Sequence, residues 1–307
     1  MTLTVLHKNP ICSFNANWFA PIVNQYFQFE PWIPENSYAR GTLFYMNVLD
    51  FSDQSGHNFC NHLMQLGFKV IIDNLWEVDP GPVPGTMRVC CDRWFWYNES
   101  LWYRYLGLDQ YQPQKDVKYL ALMPMNKRKL HRDDFVRRIN LNNMLWSYVE
   151  AGTQLPNDGD MTNWNTQRYM NPDWYDNTYL SMVVESTVRP GSQYTPVFIT
   201  EKTTKPLAFQ HTFVIYGNCG TLRTLRNWGF ETFDNLWDES YDELVVHTAR
   251  RDAVINLIND VKIQPYDSET RRRIKHNHDH FFDQNTVLSG ILKEIVEPIL
   301  EYAETDL

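Results

Sequence analysis

Apolar and polar positions fall in blocks along the chain, and the blocks read as strands followed by helices. Residues 2–6 suit a first strand, with a helix at 18–27 behind it. Residues 42–49 form a continuous apolar run ending at Asp50, as expected of a buried strand. Residues 55–66 then place Phe59, Leu63 and Leu66 on one helical face, Gly67 stops the helix, and 68–73 is the next strand. Strand, helix and strand with short connections predict a parallel βαβ unit. A turn at 80–84, a strand at 87–91 and a helix at 99–106 complete this half.

After the polar stretch 109–115 the pattern restarts. A strand at 117–123 leads into the basic run Lys127, Arg128, Lys129, His131 and Arg132. A long helix is expected over 133–150, with Phe135, Ile139, Met144 and Leu145 among its apolar positions. Residues 156–176, dense in Asn, Asp, Pro and Trp, read as an irregular loop. Strands at 178–186, 197–199 and 213–216 enclose a helix starting at Glu201. A helix at 222–228, a short strand or turn at 231–234 and helices at 241–261, 267–282 and 285–304 close the chain. The expected class is α/β, with two Rossmann-like domains at 1–114 and 115–282. The last helix, 283–307, is expected to pack back on the first domain.

Thr200 is a good N-cap, and it places Glu201 and Lys202 in a first helical turn beyond a strand's carboxyl end. That edge is where open α/β sheets bind nucleotides. A carboxylate there accepts from ribose hydroxyls, and an ammonium meets a diphosphate. The bare dipeptide also fits the first turn of any βαβ helix. The basic run at 127–132 sits at a helix start, where cations oppose the macrodipole; a bound phosphate relieves that conflict.

The strand ending in Glu185 and Ser186, the turn Phe198-Ile199-Thr200-Glu201-Lys202, and the helix and strand running to Gly217 resemble the donor-binding core of fucosyltransferase-like glycosyltransferases. That family has Glu-Asn-Ser and Tyr-x-Thr-Glu-Lys there; this chain lacks the Asn and has Phe198 for the Tyr. The resemblance covers about the middle third of the chain. It implies a GT-B glycosyltransferase, two Rossmann-like domains facing a cleft, with a nucleotide sugar as donor and neither cofactor nor metal required. Glu201 would hold the ribose, Lys202 with Lys127, Arg128 or Arg132 the diphosphate, and Glu185 the sugar or ribose, with Ser186 and Thr200 beside them. Inverting transfer needs a base in the first domain. Asp50, Asp73 and Glu77 lie near strand ends there, with Asp73 and Glu77 the first choices. The acceptor is a glycan or a modified base in DNA, with Trp76, Trp94 and Trp96 as stacking partners. A noncatalytic sugar or nucleotide-sugar binding protein is the alternative.

Other features narrow the field. A net charge of −9 argues against a broad nonspecific nucleic-acid surface. The 5 cysteines lack metal spacing and suit buried thiols in a cytoplasmic setting; the resemblance implies a protein of bacterial or viral type, and so a bacterial or virus-infected cell. No apolar run approaches a membrane span, so stable insertion is not expected. Asp158-Gly159-Asp160 has the metal-nucleotide Asp-x-Asp form but lies in a polar loop, and the alternating His276, His278 and His280 read as a polar helix end. Arg250, Arg251 and Arg271 to Arg273 are expected on solvated faces or in interdomain pairs.

Overall fold

A computed structural model describes residues 2–7, 20–47, 54–73, 83–89, 92–153, 155, 171–188 and 197–305. The chain forms two compact units, one of Met1–Trp102 with Gln284–Leu307, the other of Tyr103–Asp283. Both are α/β and Rossmann-like, each built on one parallel sheet.

The first unit's strands are β1 (Leu3–His7), β2 (Phe27–Pro31), β3 (Leu43–Asn47), β4 (Lys69–Asp73) and β5 (Met87–Val89). They lie in the order β2-β1-β3-β4-β5, every neighbour parallel. Its helices are α1 (Ala20–Val23), α2 (Gln54–Gln65) and α3 (Trp94–Tyr105), the last carrying the chain into the second unit. Strands covered on both faces read as unbroken apolar runs; Phe44, Val70 and Ile72 pack with Cys60 and Leu63 of α2. Among the described residues the helix expected at 18–27 is cut to the four residues of α1, and β2 begins at its last position, Phe27. Phe27-Gln28-Phe29-Glu30 alternates with a period of two, which is a strand's signature.

The final helical stretch runs through α10 (Gln284–Ile291), a π-helical turn (Leu292–Val296) and α11 (Glu297–Glu304), all in the first unit. Its end is held by Lys69, a buried residue of β4. The ammonium donates to the carbonyls of Tyr302 (3.1 Å), Ala303 (2.8 Å) and Thr305, where the helix macrodipole is negative. Gly290 is required by close approach, since a Cβ there would lie 2.1 Å from the Tyr97 hydroxyl.

The second unit has β6 (Tyr119–Met125), β7 (Met144–Tyr148), β8 (Thr178–Val184) and β9 (Thr212–Tyr216), in the parallel order β7-β6-β8-β9. Its helices are α4 (Leu130–Val136), α5 (Pro172–Asp176), α6 (Glu201–Ala208), α7 (Thr221–Asn227), α8 (His247–Asp260) and α9 (Ser268–Phe281). The long helix expected over 133–150 stops at Val136, and β7 follows. The break lies in Asn140-Leu141-Asn142-Asn143, where Asn140 accepts from the Asn142 N–H at 3.1 Å in a local turn. Residues 197–199 pair with no strand, and 231–234 form none. From β6 the chain moves outward to β7 and then returns to β8 on the other side. The carboxyl ends of β6 and β8 therefore flank a topological switch point.

Candidate functional site

Two turns meet at this switch point, one after β6 and one after β8. The first runs from Asn126 to Lys129, the N-cap position of α4, whose side chain makes no cap hydrogen bond. Arg132, in the first turn of the helix, is 2% exposed. Its guanidinium donates to the carbonyls of Lys127 (3.1 Å) and Val184 (3.2 Å), stapling this turn to the end of β8. Arg132 is thus scaffold and does not present its charge to a ligand as expected. Arg128 is exposed and pairs with Asp133 at 3.0 Å, while its backbone N–H donates to Glu150. Lys127 is exposed as well.

Lys129 and His131 turn toward β8. The Lys129 ammonium donates to the Ser186 carbonyl at 2.6 Å, and His131 Nε2 lies 3.0 Å from the Glu185 carbonyl. Burial, with Arg132 and Lys129 nearby, pushes the imidazole down to about 4, so it is neutral at pH 7. Contact with a carbonyl assigns the proton to Nε2 and leaves Nδ1 with its lone pair.

Glu185 is fully buried, and it accepts from four donors. Oε1 takes the Thr200 N–H (3.0 Å) and the Thr203 hydroxyl (2.6 Å); Oε2 takes the Ser186 N–H (3.0 Å) and the Thr200 hydroxyl (2.7 Å). A carboxylate offers about four lone-pair sites, so none remains for a sugar or ribose. Its role here is to lock the end of β8 to the first turn of α6. Thr200 is the N-cap of α6, its side chain accepting from the Lys202 N–H.

That lock sets Lys202 beside Ser186. Its ammonium donates to the Ser186 hydroxyl at 3.1 Å and pairs with Glu201. Burial opposes ionisation of Glu201, but Lys202 and Lys205 outweigh it and hold the carboxyl down to about 2. The arrangement is two ammonium groups, from different elements, meeting at one serine, with an ionised carboxylate and a neutral imidazole alongside. It can take a divalent oxyanion and accept from neighbouring hydroxyls.

The neighbouring helix start is closed. At α7, the buried Asp242 carboxylate takes the N–H groups of Leu222 and Arg223, both at 3.0 Å, so the protein's own anion fills that end. Arg250, 1% exposed, braces the carbonyls of Gly217 and Leu244, and Arg251 pairs with Asp134 and Asp252. Neither lies on a solvated face. Arg272 and Arg273 join Glu231 and Glu269 in a network at the surface.

Elsewhere the expected residues scatter. Asp73 ends β4, and Asp50, Glu77, Trp76, Asp158 and Asp160 lie outside the described residues. Trp94 and Trp96 are 2% and 1% exposed, core residues that no flipped base can stack on. His276 and His280 stack with centroids 5.8 Å apart and cap the carbonyls of Gly229 and Trp228 beyond α7. Cys60 and Cys219 are free and buried. Among the described residues, no group of three His, Cys, Asp or Glu is placed to hold a metal. No described helix is long and apolar enough to cross a membrane.

Lys129 and His131 belong to the basic run, but the reading from sequence favoured its arginines for their two-pronged grip on phosphate. Which cations face β8 depends on where α4 begins. The one signal available was that Lys129, and not a hydroxyl residue, stands at the N-cap. Compared with known protein families, curated proteins and solved structures, the chain matches none of them.

Proposed function

We propose that the protein is a glycosyltransferase of the GT-B type, whose second unit binds the diphosphate of a nucleotide sugar at the ends of β6 and β8. The supporting observation is the convergence of the Lys129 and Lys202 ammonium groups on Ser186 at the switch point. When the glycosidic bond to phosphate breaks, negative charge grows on the departing diphosphate, and fixed cations stabilise that state most. Glu201, ionised at all ordinary pH values, accepts from the ribose hydroxyls. Two ammonium groups supply the charge that a metal ion supplies in other transferases, so transfer proceeds without one. The acceptor, a glycan or a nucleobase in DNA, loses its proton to Asp73 or Glu77, giving inversion.

The test is melting temperature against a panel of nucleotides and nucleotide sugars. A ligand at about a hundred times its dissociation constant adds roughly 2.7 kcal/mol. Lys202→Ala and Lys129→Ala should each remove most of that shift while the unliganded melting point changes little. A shift that survives both changes refutes the site. Binding without sugar turnover identifies a noncatalytic nucleotide-sugar binder of the same fold.

A further inference from the structure

Three basic side chains at the start of α4 each take a backbone carbonyl at the end of β8. Arg132 donates to that of Val184 at 3.2 Å, His131 to that of Glu185 at 3.0 Å and Lys129 to that of Ser186 at 2.6 Å. The three carbonyls are consecutive, so the basic run lies along the backbone that leads into the cation cluster. Of these side-chain types only imidazole changes charge near neutral pH. His131 is thus the one variable member of the run, and it stands in the middle.

Without a ligand that member is neutral. Burial is the chief cause; Arg132 and Lys129 on α4 and His247 on α8 act the same way, against the Glu185 carbonyl. The carboxylates around it are committed elsewhere. Glu185 serves its four donors, and on α6 Glu201 pairs with Lys202. On α4, Asp133 takes Arg128 and Tyr148, and Asp134 takes Arg138 and Arg251. A further positive charge at this turn therefore has no anion of the protein's own to meet it. The ring is nevertheless placed to gain a proton without moving. It packs edge-on against Tyr216 of β9, with centroids 6.4 Å apart, and Tyr216 stacks on Phe135. The Nε2–H stays on the Glu185 carbonyl in both charge states, so an added proton goes to Nδ1, which has no partner among the described residues. His131 is half-buried, within reach of solvent.

We infer that His131 is a third cation of the site, recruited by the ligand: it takes a proton from solvent when a nucleotide diphosphate binds beside Ser186 and returns it when the diphosphate leaves. This inference rests on the nucleotide reading of the site. A diphosphate brings two negative charges to the turn and reverses the balance that keeps the imidazole neutral. As the glycosidic bond breaks, charge grows on the departing diphosphate, and the protonated ring stabilises that state more than the one before it. Once the product has gone, the positive neighbours expel the proton and the turn is reset.

The test is isothermal calorimetry on the full chain with the nucleotide sugar that most raises the melting temperature. Its diphosphate bridge has no terminal hydroxyl to titrate, so its charge stays constant near neutral pH. Heats in two buffers of different ionisation enthalpy count the protons bound. Proton uptake is expected, with affinity rising about tenfold from about pH 7.5 to about pH 5.5, the effect of one linked proton over one pH unit. His131→Gln keeps an N–H for the Glu185 carbonyl and cannot titrate; it should abolish both effects while still binding the nucleotide sugar at the higher pH. His247→Gln should leave both in place. Binding without proton uptake overturns the inference and leaves the nucleotide reading standing, as does uptake that survives His131→Gln or vanishes in His247→Gln. If no nucleotide sugar binds at any pH, the reading of the site falls and this inference falls with it.

Discussion

Replacing Glu185 with glutamine changes one oxygen to an NH₂ group and little else. Whichever oxygen is lost, its place faces one backbone N–H and one threonine hydroxyl: Thr200 N–H with Thr203, or Ser186 N–H with Thr200. The hydroxyl can turn and accept, but the backbone N–H cannot. One buried N–H left without an acceptor costs about 1–3 kcal/mol. The surviving bonds lose their charge assistance, worth roughly another 1 kcal/mol in total. The expected loss is therefore about 3 kcal/mol. For a unit of this size that lowers the melting temperature by about 6–12 °C. Urea denaturation should show a lower midpoint at unchanged slope. Glu201→Gln is the control, since that carboxylate stands at the same helix start but is held chiefly by lysine charge. A loss below about 1 kcal/mol for Glu185→Gln, or an equal loss for both variants, would refute the four-donor argument.

Other consequences are open to measurement. Lys69→Met strips the ammonium from the carbonyls of Tyr302, Ala303 and Thr305; it should cost about 2–4 kcal/mol and make the last turn of α11 the first site of limited proteolysis. Burial holds His131 and His278 down to about 4, so the unfolded chain takes up protons near pH 6.5 that the folded chain refuses. Stability should thus fall as pH drops from about 6.5 toward 4, by up to roughly 3 kcal/mol per histidine, and His278→Phe should flatten the slope in denaturation series. Gly290→Ala drives a methyl into the Tyr97 hydroxyl and ring edge and should destabilise by about 1–3 kcal/mol in calorimetry.

The α/β class was legible because parallel strands such as 43–46 and 178–184 are mostly apolar runs between helical patterns. β2 and β7 were both hidden by being short: β7 lies where a helical reading of the apolar positions also fits, and β2 follows directly on the expected helix at 18–27. For β7, the polar Asn140-Leu141-Asn142-Asn143 turn was the local clue. In the site, Thr200, Glu201 and Lys202 were readable because capping is local chemistry, decided within three residues. Glu185 was not, since three of its four donors stand fifteen or more positions away and meet it only after β8 and α6 are placed. The bracing role of Arg132 was hidden for the same reason, its partner at Val184 being remote in sequence.

The first unit takes its strands from the beginning of the chain and its closing helices from the end. On the ribosome, where chains emerge from the amino terminus, the stretch from Tyr103 to Asp283 can complete its own sheet before residues 284–305 exist. The first sheet must wait through that interval with Lys69 lacking the carbonyls that will receive its ammonium. Chains released early would therefore carry a finished second unit beside an unfinished first one. Whatever shelters the waiting strands, residues 284–305, made only after the whole of the second unit, are what close the first sheet.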